Sequence, residues 1–264
     1  ILNKFADEFY GWKFAWSLKP GDVVFLTNFG NVFFKVVKRK GVKVVHEKTE
    51  HPDVYSFKGF NVERYKREVV KVDGMFVIST ALKDYFVSCG LLKEKIKIVN
   101  MTVDSNRFAG LTKQPSEKYI AYCGTASNNK DGVDELIKSF AIVNKTHPEV
   151  RLYIIGKTPD KDDAGNLKLI ENLGVKDSVV FTGIVSAAEI PQILKNATAL
   201  ALDRPDSLQA QCGFPTKLGE YLLTENPVIV TKVGDIPLFL KDGETALLVE
   251  ERNPKEFSSK IIWA

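Results

Sequence analysis

Two side chains of opposite charge lie close together in a stretch that is predicted to begin a helix. The segment GFPTKLGEY, residues 213–221, places Lys217 and Glu220 directly after a Gly-Phe-Pro turn, with Thr216 on the same polar flank. Proline suits a first helical turn and glycine lets backbone approach a ligand closely. Free amides at a helix start bind phosphate, and a carboxylate one turn further on can accept hydrogen bonds from a ribose diol. The same spacing fits an exposed Lys–Glu pair worth about 0.3 kcal/mol, and spacing alone leaves both interpretations open.

A second candidate phosphate-binding turn lies in YCGTASNNKDGVDELI, residues 122–137. Gly124 ends an apolar run, and Lys130 precedes a pattern with the helical period of 3.6 residues. A glycine-rich loop between a strand and a helix, with a lysine at the mouth of the helix, is suited to binding phosphate. The loop is neither G-x-G-x-x-G nor a Walker A sequence, so a nicotinamide or ATP site is not supported. Taken alone, such a lysine is more often solvated.

Both turns belong to a regular alternation of short β-branched runs and helical patterns. Predicted strands cover residues 22–28, 42–47, 74–80, 95–100, 118–124, 150–156, 178–183, 197–203, 227–231 and 246–250. Predicted helices cover residues 31–40, 61–71, 81–89, 131–145, 165–174, 187–195, 215–224 and 254–263. Strands this apolar, each followed by a helix, indicate parallel sheets covered on both faces.

The alternation is interrupted by NRFAGLTKQPSEK, residues 106–118, which is rich in Gly, Pro and polar residues. We therefore predict an α/β protein with one sheet domain over residues 1–105, a linker over 106–117 and a second domain over 118–264. Ligands of such sheets bind beyond the carboxyl ends of the strands, so the expected site is a cleft between the two domains.

Composition limits the function classes. The chain has 264 residues, of which 44% are hydrophobic and 27% charged, as in ordinary globular proteins. A net charge of +4 does not by itself argue for nucleic acid. No apolar run approaches the roughly 20 residues that cross a bilayer, and no signal peptide is recognisable. The three scattered cysteines argue against a disulfide framework, and no Cys/His spacing fits a zinc site.

The two turns together, in this order, resemble the GT-B glycosyltransferases, specifically the large retaining family called family four. The resemblance covers nearly all of the chain. It is carried by the segments GMFVISTALKDYFVSCGLLKEKIKIVNMTVDSNRF, YCGTASNNKDGVDELIKSF, VVFTGIVSAAEIPQILKNATALALDRP, CGFPTKLGEYLLTENPVIVT and GDIPLFLKDGETALLVE. It implies two Rossmann-like parallel-sheet domains that face a cleft, with the N-terminal one incomplete.

The resemblance also implies roles for individual residues. Glu220 matches the second glutamate of the Glu-seven-residues-Glu signature, which holds the ribose of a sugar nucleotide. Lys130 matches the phosphate-binding lysine, and the backbone near Ile184 matches the edge where the base rests. The turn that meets the pyrophosphate or the sugar corresponds to Gly213, Phe214 and Pro215.

The implied reaction moves a sugar from a UDP-, GDP- or ADP-sugar to an acceptor hydroxyl with retention. The leaving phosphate itself takes the acceptor proton, so neither a metal nor a cofactor is expected. Lys130 and the helix dipole would stabilise the charge that develops on that phosphate. The implied acceptor is a glycan or a lipid-linked glycan of surface polysaccharide or glycolipid assembly, and nucleic acid is not an expected partner.

Two positions of the donor half depart from the family pattern. Cys212 stands where the first signature glutamate is expected, which removes a contact to the sugar or the helix. Thr125 stands where an arginine commonly follows Gly124, which removes a cation from the diphosphate.

On the acceptor side, VVHEKTEHP (44–52) stands where the family often has a His-Asp pair. The alignment could place Thr49-Glu50 there or, in a shifted register, His46-Glu47. His46 and Glu50 are therefore candidates for sugar contact, and a plain loop fits equally well. The resemblance leads us to expect truncation at both ends, because the first glycine-rich strand and the closing helices are missing.

A basic segment, FFKVVKRKGVK (33–43), carries Lys35, Lys38, Arg39 and Lys40 beside an apolar stripe. Such a segment could touch anionic lipid, which would place a cytoplasmic protein at the inner face of the membrane. A solvated basic helix face is the more common alternative.

Three functions remain open from the sequence. A retaining glycosyltransferase accounts for both turns. A nucleotide-sugar-binding protein without turnover accounts for Cys212, Thr125 and the missing ends. A nucleotide-sugar epimerase would need acid and base side chains in the cleft, for which only the HEKTEH run offers candidates.

Overall fold

A computed structural model describes residues 11, 13–27, 31–54, 61–158 and 160–264, with the backbone alone at 31–33, 35, 160 and 161. The chain divides into a first unit, residues 1–100, and a second unit, residues 101–264. The predicted boundary was residue 105, so residues 101–105 lie with the second unit.

The first unit is a four-stranded parallel sheet in the order β1-β2-β3-β4. Its strands are β1 (Val23–Leu26), β2 (Lys43–Lys48), β3 (Gly74–Val77) and β4 (Ile96–Ile98). Its helices are α1 (Asn31–Arg39), α2 (Val62–Val69) and α3 (Thr80–Ser88). Side chains cap two of these helices, because Asn61 accepts from the Arg64 N–H and Ser79 from the Leu82 N–H.

The second unit is a six-stranded parallel sheet in the order β10-β9-β8-β5-β6-β7. Its strands are β5 (Tyr119–Cys123), β6 (Arg151–Ile155), β7 (Val179–Gly183), β8 (Ala199–Leu202), β9 (Val228–Thr231) and β10 (Leu247–Val249). Its helices are α4 (Asn128–Asp131), α5 (Val133–Thr146), α6 (Asp160–Leu173), α7 (Ile190–Asn196), α8 (Leu208–Cys212), α9 (Lys217–Leu223), α10 (Ile236–Phe239) and α11 (Pro254–Trp263).

The strand order reverses between β5 and β8. From β5 the chain proceeds through β6 and β7 to one edge of the sheet, whereas β8, β9 and β10 proceed to the other. The loops that leave β5 and β8 therefore diverge, and a crevice opens at the carboxyl ends of these two strands, where ligands of open α/β sheets bind.

The core supports the strands that border this crevice. Every residue of β5, β8 and β9 is buried, as expected for central parallel strands with helices on both faces. Helix α5 packs its apolar stripe on the sheet, with Val133, Leu136, Ile137 and Phe140 fully buried. The prediction of two parallel α/β sheets is confirmed, since every predicted strand is present.

Two predicted helices need correction, and some short helices were missed. The helix predicted over 131–145 is two helices, α4 and α5, because Gly132 adopts a left-handed φ of +63° between them. The helix predicted over 215–224 begins at Lys217, and Pro215 lies in the preceding turn, where its carbonyl accepts from the Leu218 N–H at 3.1 Å. The short helices α8, which ends at Cys212, and α10 were not predicted.

Candidate functional site

The crevice brings the two predicted turns into direct contact. The Lys217 ammonium, in the first turn of α9, lies 2.5 Å from an Asp131 carboxylate oxygen at the end of α4. It also donates to the Tyr122 hydroxyl on β5 at 2.9 Å. That hydroxyl is 2.7 Å from both Asp131 Oδ2 and the Thr125 carbonyl. Lys217, Asp131 and Tyr122 thus form one buried group, here called the Lys217 cluster.

The Lys217 cluster explains why a glycine directly follows β5. Gly124 has a φ of +146°, a conformation that L side chains rarely adopt. A Cβ atom at this position would lie 2.5 Å from Lys217 Nζ, closer than real Cβ contacts. Glycine therefore lets the ammonium lie directly against the backbone of the predicted phosphate-binding turn.

A second buried cation lies behind the other turn. Arg204, the second residue after β8, is buried, and its Nη2 atom would be 3.6 Å from a Cβ at Gly213. Burial lowers the pKa of Lys217, Asp131 opposes this shift, and the charge of Arg204 lowers it further. The sheet thus places one buried cation behind each glycine turn, and Asp131 balances the charge of Lys217.

Glu220 is fixed to the same strand end through its neighbour on α9. The Tyr221 hydroxyl, which is fully buried, accepts from the Cys123 N–H at 2.7 Å. Glu220 itself forms an ion pair with Arg107, which lies in a 3-10 turn, Ser105–Phe108. The second guanidinium nitrogen of Arg107 donates to the Ala187 carbonyl at 2.9 Å.

Three charged groups converge on the end of β5. Burial raises the pKa of Cys123 to about 11, and the charges of Lys217, Glu220 and Arg107 also act on this thiol. The predicted ribose-binding carboxylate and the buried ammonium therefore lie around the same strand end.

Residues 117–264, more than half of the chain, match the profile described as Glycosyl transferases group 1. The chain belongs to this glycosyl transferase family. Over 179 residues, 64% of this chain and 38% of the relative, it is 27% identical to the D-inositol 3-phosphate glycosyltransferase of Segniliparus rotundus. The chain thus spans about two fifths of the length of that curated relative.

Solved structures of other proteins share the fold. The crystal structure of Anabaena HepE in complex with UDP matches 92% of this chain and 68% of its own, with a TM-score of 0.74 and 18% identity. The apo form of the lipopolysaccharide outer core galactosyltransferase WaaB matches 95% of this chain and 68% of its own, with a TM-score of 0.70 and 19% identity. This group 1 glycosyl transferase chain therefore has the GT-B fold, with a parallel sheet in each of its two units.

The other predicted donor-side residues lie on the loops of the same sheet. Ile184, directly after β7, is 82% exposed. Phe214 packs edge-on against Phe239 of α10, with ring centroids 5.3 Å apart. The remaining predicted residues differ in burial: Lys130 is half-buried, Thr125 and Thr216 are exposed, and Gly213 and Pro215 are buried.

Cys212, at the position of the first signature glutamate, is a buried thiol at the end of α8. Burial raises the pKa of this thiol. The side chain is therefore neutral at pH 7 and brings no negative charge to the turn that follows it.

In the first unit, His46 lies inside the protein. The residue is only 1% exposed. Its imidazole donates from Nδ1 to the Leu26 carbonyl at 2.8 Å and accepts at Nε2 from the Tyr65 hydroxyl at 3.0 Å. Burial lowers the pKa of His46 to about 4. This placement favours a structural role over the predicted sugar contact. Glu50, two residues after β2, is half-buried, and its charge acts on Lys48.

Two lysines of the predicted lipid-binding segment contact other residues of the same unit. Lys38 pairs with Asp73 at 2.6 Å, and Lys40 donates to the Ala15 and Trp16 carbonyls. Arg39 is exposed, and the Lys35 side chain lies outside the described residues. These contacts give the predicted membrane contact no support. Across the part of the chain that the structure describes, no helix is long and apolar enough to cross a membrane.

Sequence reasoning missed five members of the site: Tyr122, Asp131, Tyr221, Arg107 and Arg204. Each of them lies in a segment that carries the family resemblance, and that position was the only indication in the sequence that these residues could belong to the site. Their contacts join residues that are far apart in the chain, so spacing alone could not assign them a partner.

Proposed function

We propose that the protein transfers a sugar from a nucleotide donor to an acceptor hydroxyl, and that the second unit binds the donor. The observation that carries the proposal is the Lys217–Asp131 contact, which joins the two glycine turns at the point where the strand order reverses. Family membership and the GT-B fold support the same function.

In this proposal the donor diphosphate lies over the Gly124 and Gly213 turns. Lys130 and Lys217 supply positive charge, and the backbone amides of both turns supply hydrogen bonds. The carboxylate of Glu220 accepts from the ribose hydroxyls, and the base rests on the exposed edge at Ile184. UDP is the first nucleotide to test because HepE, which shares the fold, was crystallised with UDP. GDP and ADP follow.

The reaction would break the bond between the anomeric carbon and the leaving diphosphate oxygen. The new bond to the acceptor oxygen forms on the same face of the sugar, so that configuration is retained. The released phosphate oxygen takes the acceptor proton, a route that requires neither a metal nor a protein base. The two lysines stabilise the negative charge that develops on the diphosphate, which is the kind of contribution that usually dominates.

We further propose that the acceptor is a glycan or a lipid-linked glycan. The galactosyltransferase WaaB, named for the lipopolysaccharide outer core, supports this class of acceptor. A cytoplasmic location, at the inner face of the membrane, is part of the same proposal and rests on the acceptor alone.

A nucleotide-sugar-binding protein without turnover is the second candidate. It is favoured by one observation, the neutral buried thiol of Cys212 where the family signature has a glutamate. Binding without transfer would identify this case.

Titration calorimetry of the full-length protein against UDP, GDP and ADP tests the proposal. We expect one diphosphate to bind, and Glu220→Gln to weaken its binding at least tenfold, since a hydrogen bond to a charged group contributes about 1.5–3 kcal/mol. The matched control is Glu250→Gln, because Glu250 is an exposed acid paired with Lys232 in the same unit. A folded wild type that binds none of the three would refute donor binding.

Transfer is then assayed with the sugar nucleotide of the diphosphate that binds. Release of diphosphate with formation of a glycoside, or hydrolysis of the donor, supports the enzyme. Tight binding with neither product supports the binding protein. The anomeric configuration of the product, read by NMR, decides between retention and inversion.

A further inference from the structure

Arg107 joins three segments of the second unit. It lies in the 3-10 turn Ser105–Phe108, before the first strand of that unit. One guanidinium nitrogen contacts Glu220 Oε1 on α9, and the other donates to the Ala187 carbonyl in the loop between β7 and α7. That loop begins at Ile184, the proposed base edge.

The backbone around Arg107 is itself held in place. Phe108 is buried in the core of the second unit. Asp104 caps the 3-10 turn by accepting from the Asn106 N–H at 3.0 Å. Val103 packs so closely on α9 that a Cβ atom at Gly219 would lie 3.2 Å from Val103 side-chain atoms. The guanidinium is therefore delivered from a fixed segment that contacts α9 directly.

The geometry suits a guanidinium and not an ammonium. Arginine presents several donors in one rigid plane, so it can satisfy a carboxylate and a carbonyl at the same time. The ion pair engages Oε1 of Glu220, which leaves Oε2 outside this contact. Both side chains are partly exposed, at 33% for Arg107 and 20% for Glu220, so a ligand can reach the pair.

We propose that Arg107 is a positioning residue: it orients the Glu220 carboxylate toward the donor ribose and ties that carboxylate to the loop that carries the base edge. The inference rests on the proposed function, because it assigns the ribose to Glu220. Arg107 then sets how strongly the protein distinguishes a ribonucleotide from its 2′-deoxy analogue, without itself touching the donor.

The test compares the affinity of the full-length protein for UDP with its affinity for 2′-deoxy-UDP, or for the GDP or ADP pair if that nucleotide binds. The ratio of the two Kd values measures the ribose contact. We expect a ratio of about tenfold or more for the wild type, since one hydrogen bond to a carboxylate is lost. Glu220→Gln and Arg107→Ala should each reduce the ratio to near one, and the double variant should reduce it no further.

Two further variants separate positioning from general stability. Arg107→Lys keeps the charge but lacks the planar fork that joins Glu220 Oε1 to the Ala187 carbonyl. The ratio of the two Kd values should therefore also fall in this variant, while its melting temperature stays near that of the wild type. Arg151→Ala removes an exposed arginine paired with Glu117 at the amino end of β6, away from the crevice, and should leave the ratio unchanged.

The outcomes separate the inference from the proposed function. Consider a wild type that distinguishes the two nucleotides and a Glu220→Gln variant that does not. If folded Arg107→Lys then retains the full discrimination, Arg107 is not a positioning residue. Equal weakening of both nucleotides in the Arg107 variants also overturns the inference, because it indicates a purely structural role. If the wild type binds no diphosphate, the proposed function fails, and the inference fails with it.

Discussion

The ammonium of Lys217 and the carboxylate of Asp131 lie 2.5 Å apart, although 86 residues separate them in the chain. Both side chains are largely buried, with exposures of 12% and 5%. One contact thus links α4, which follows β5, to α9, which precedes β9, so the two halves of the crevice depend on each other.

This pair predicts an asymmetric response to mutation. Asp131→Asn leaves an ammonium buried without its carboxylate and should lower the free energy of unfolding by about 3–5 kcal/mol. The double variant Asp131→Asn/Lys217→Met should recover most of that loss, because no buried charge remains unpaired. Urea unfolding of the four proteins measures the cycle.

The control for this cycle is Lys232→Met, which breaks an exposed pair with Glu250. It should cost about 0–1 kcal/mol, as exposed pairs do. The double variant Asp131→Asn/Lys217→Met should still bind the diphosphate only weakly, since it lacks the cation behind Gly124. A double variant as unstable as Asp131→Asn alone would contradict the assignment of the pair as the source of the loss.

Gly132 predicts a steric effect at the same loop. It has a φ of +63°, and a Cβ atom there would lie 1.8 Å from the Asp203 carbonyl oxygen. Gly110 has a similar φ of +74° with nothing within 4 Å of its Cβ position. Gly110→Ala should therefore cost only the left-handed backbone strain, about 1–2 kcal/mol.

Gly132→Ala should cost clearly more than Gly110→Ala, because the backbone of the Lys130 turn must move away from the residue that follows β8. Thermal unfolding compares the two variants, and calorimetry should find weaker diphosphate binding in Gly132→Ala only. Equal destabilisation by both substitutions would show that the contact with Asp203 is relieved without cost.

Asp203 predicts that the stability of the second unit depends on pH. Burial raises the pKa of this carboxyl from 3.8 to about 7, while a hydrogen bond from Ser139 opposes the shift. Because the folded-state pKa lies above the unfolded value, this group contributes stability at low pH, and that contribution is lost as the pH rises from about 4 to 7.

Asp203→Asn removes the ionisation and should therefore stabilise the protein more at pH 8 than at pH 4.5. The difference should be of order 2–4 kcal/mol, as a shift of about three pKa units implies. Chemical unfolding at both pH values gives the comparison, with the exposed Asp177→Asn as the control. An effect that does not change with pH would refute the raised pKa.

His46 predicts a pH dependence of stability with the opposite sign in the first unit. Burial lowers its pKa from 6.5 to about 4, so the unfolded chain binds the proton more readily. The stability contributed by the neutral imidazole is complete above pH 6.5 and is lost as the pH falls from 6.5 to about 4. The loss should be about 3 kcal/mol.

His46→Asn keeps a donor near the Leu26 carbonyl and does not titrate, so it should lower stability at pH 7.5 and flatten the decline between pH 6.5 and 4. His147→Asn is the control, because His147 is partly exposed and pairs only loosely with Glu149 at 3.6 Å. Urea unfolding at several pH values measures both variants. A slope that His46→Asn leaves unchanged would assign the acid sensitivity to other groups.

The sequence by itself determined the elements and the class of fold. The runs of buried β-branched residues and the 3.6-residue stripes, such as that of α5, encode parallel strands and covering helices locally, because burial of one face is a property of each segment. The short motifs around Gly124 and Glu220 likewise indicated where phosphate and ribose chemistry could lie.

Only the tertiary structure decided how these parts meet. The position of β5 next to β8 sets the crevice, and that pairing is not encoded in the spacing of either strand. The partners of Lys217 and Glu220 are Asp131 and Arg107, which lie 86 and 113 residues away in the chain. Buried charges must find opposite charges wherever folding brings them together, so the contacts that complete the site become visible only once the sheet is assembled.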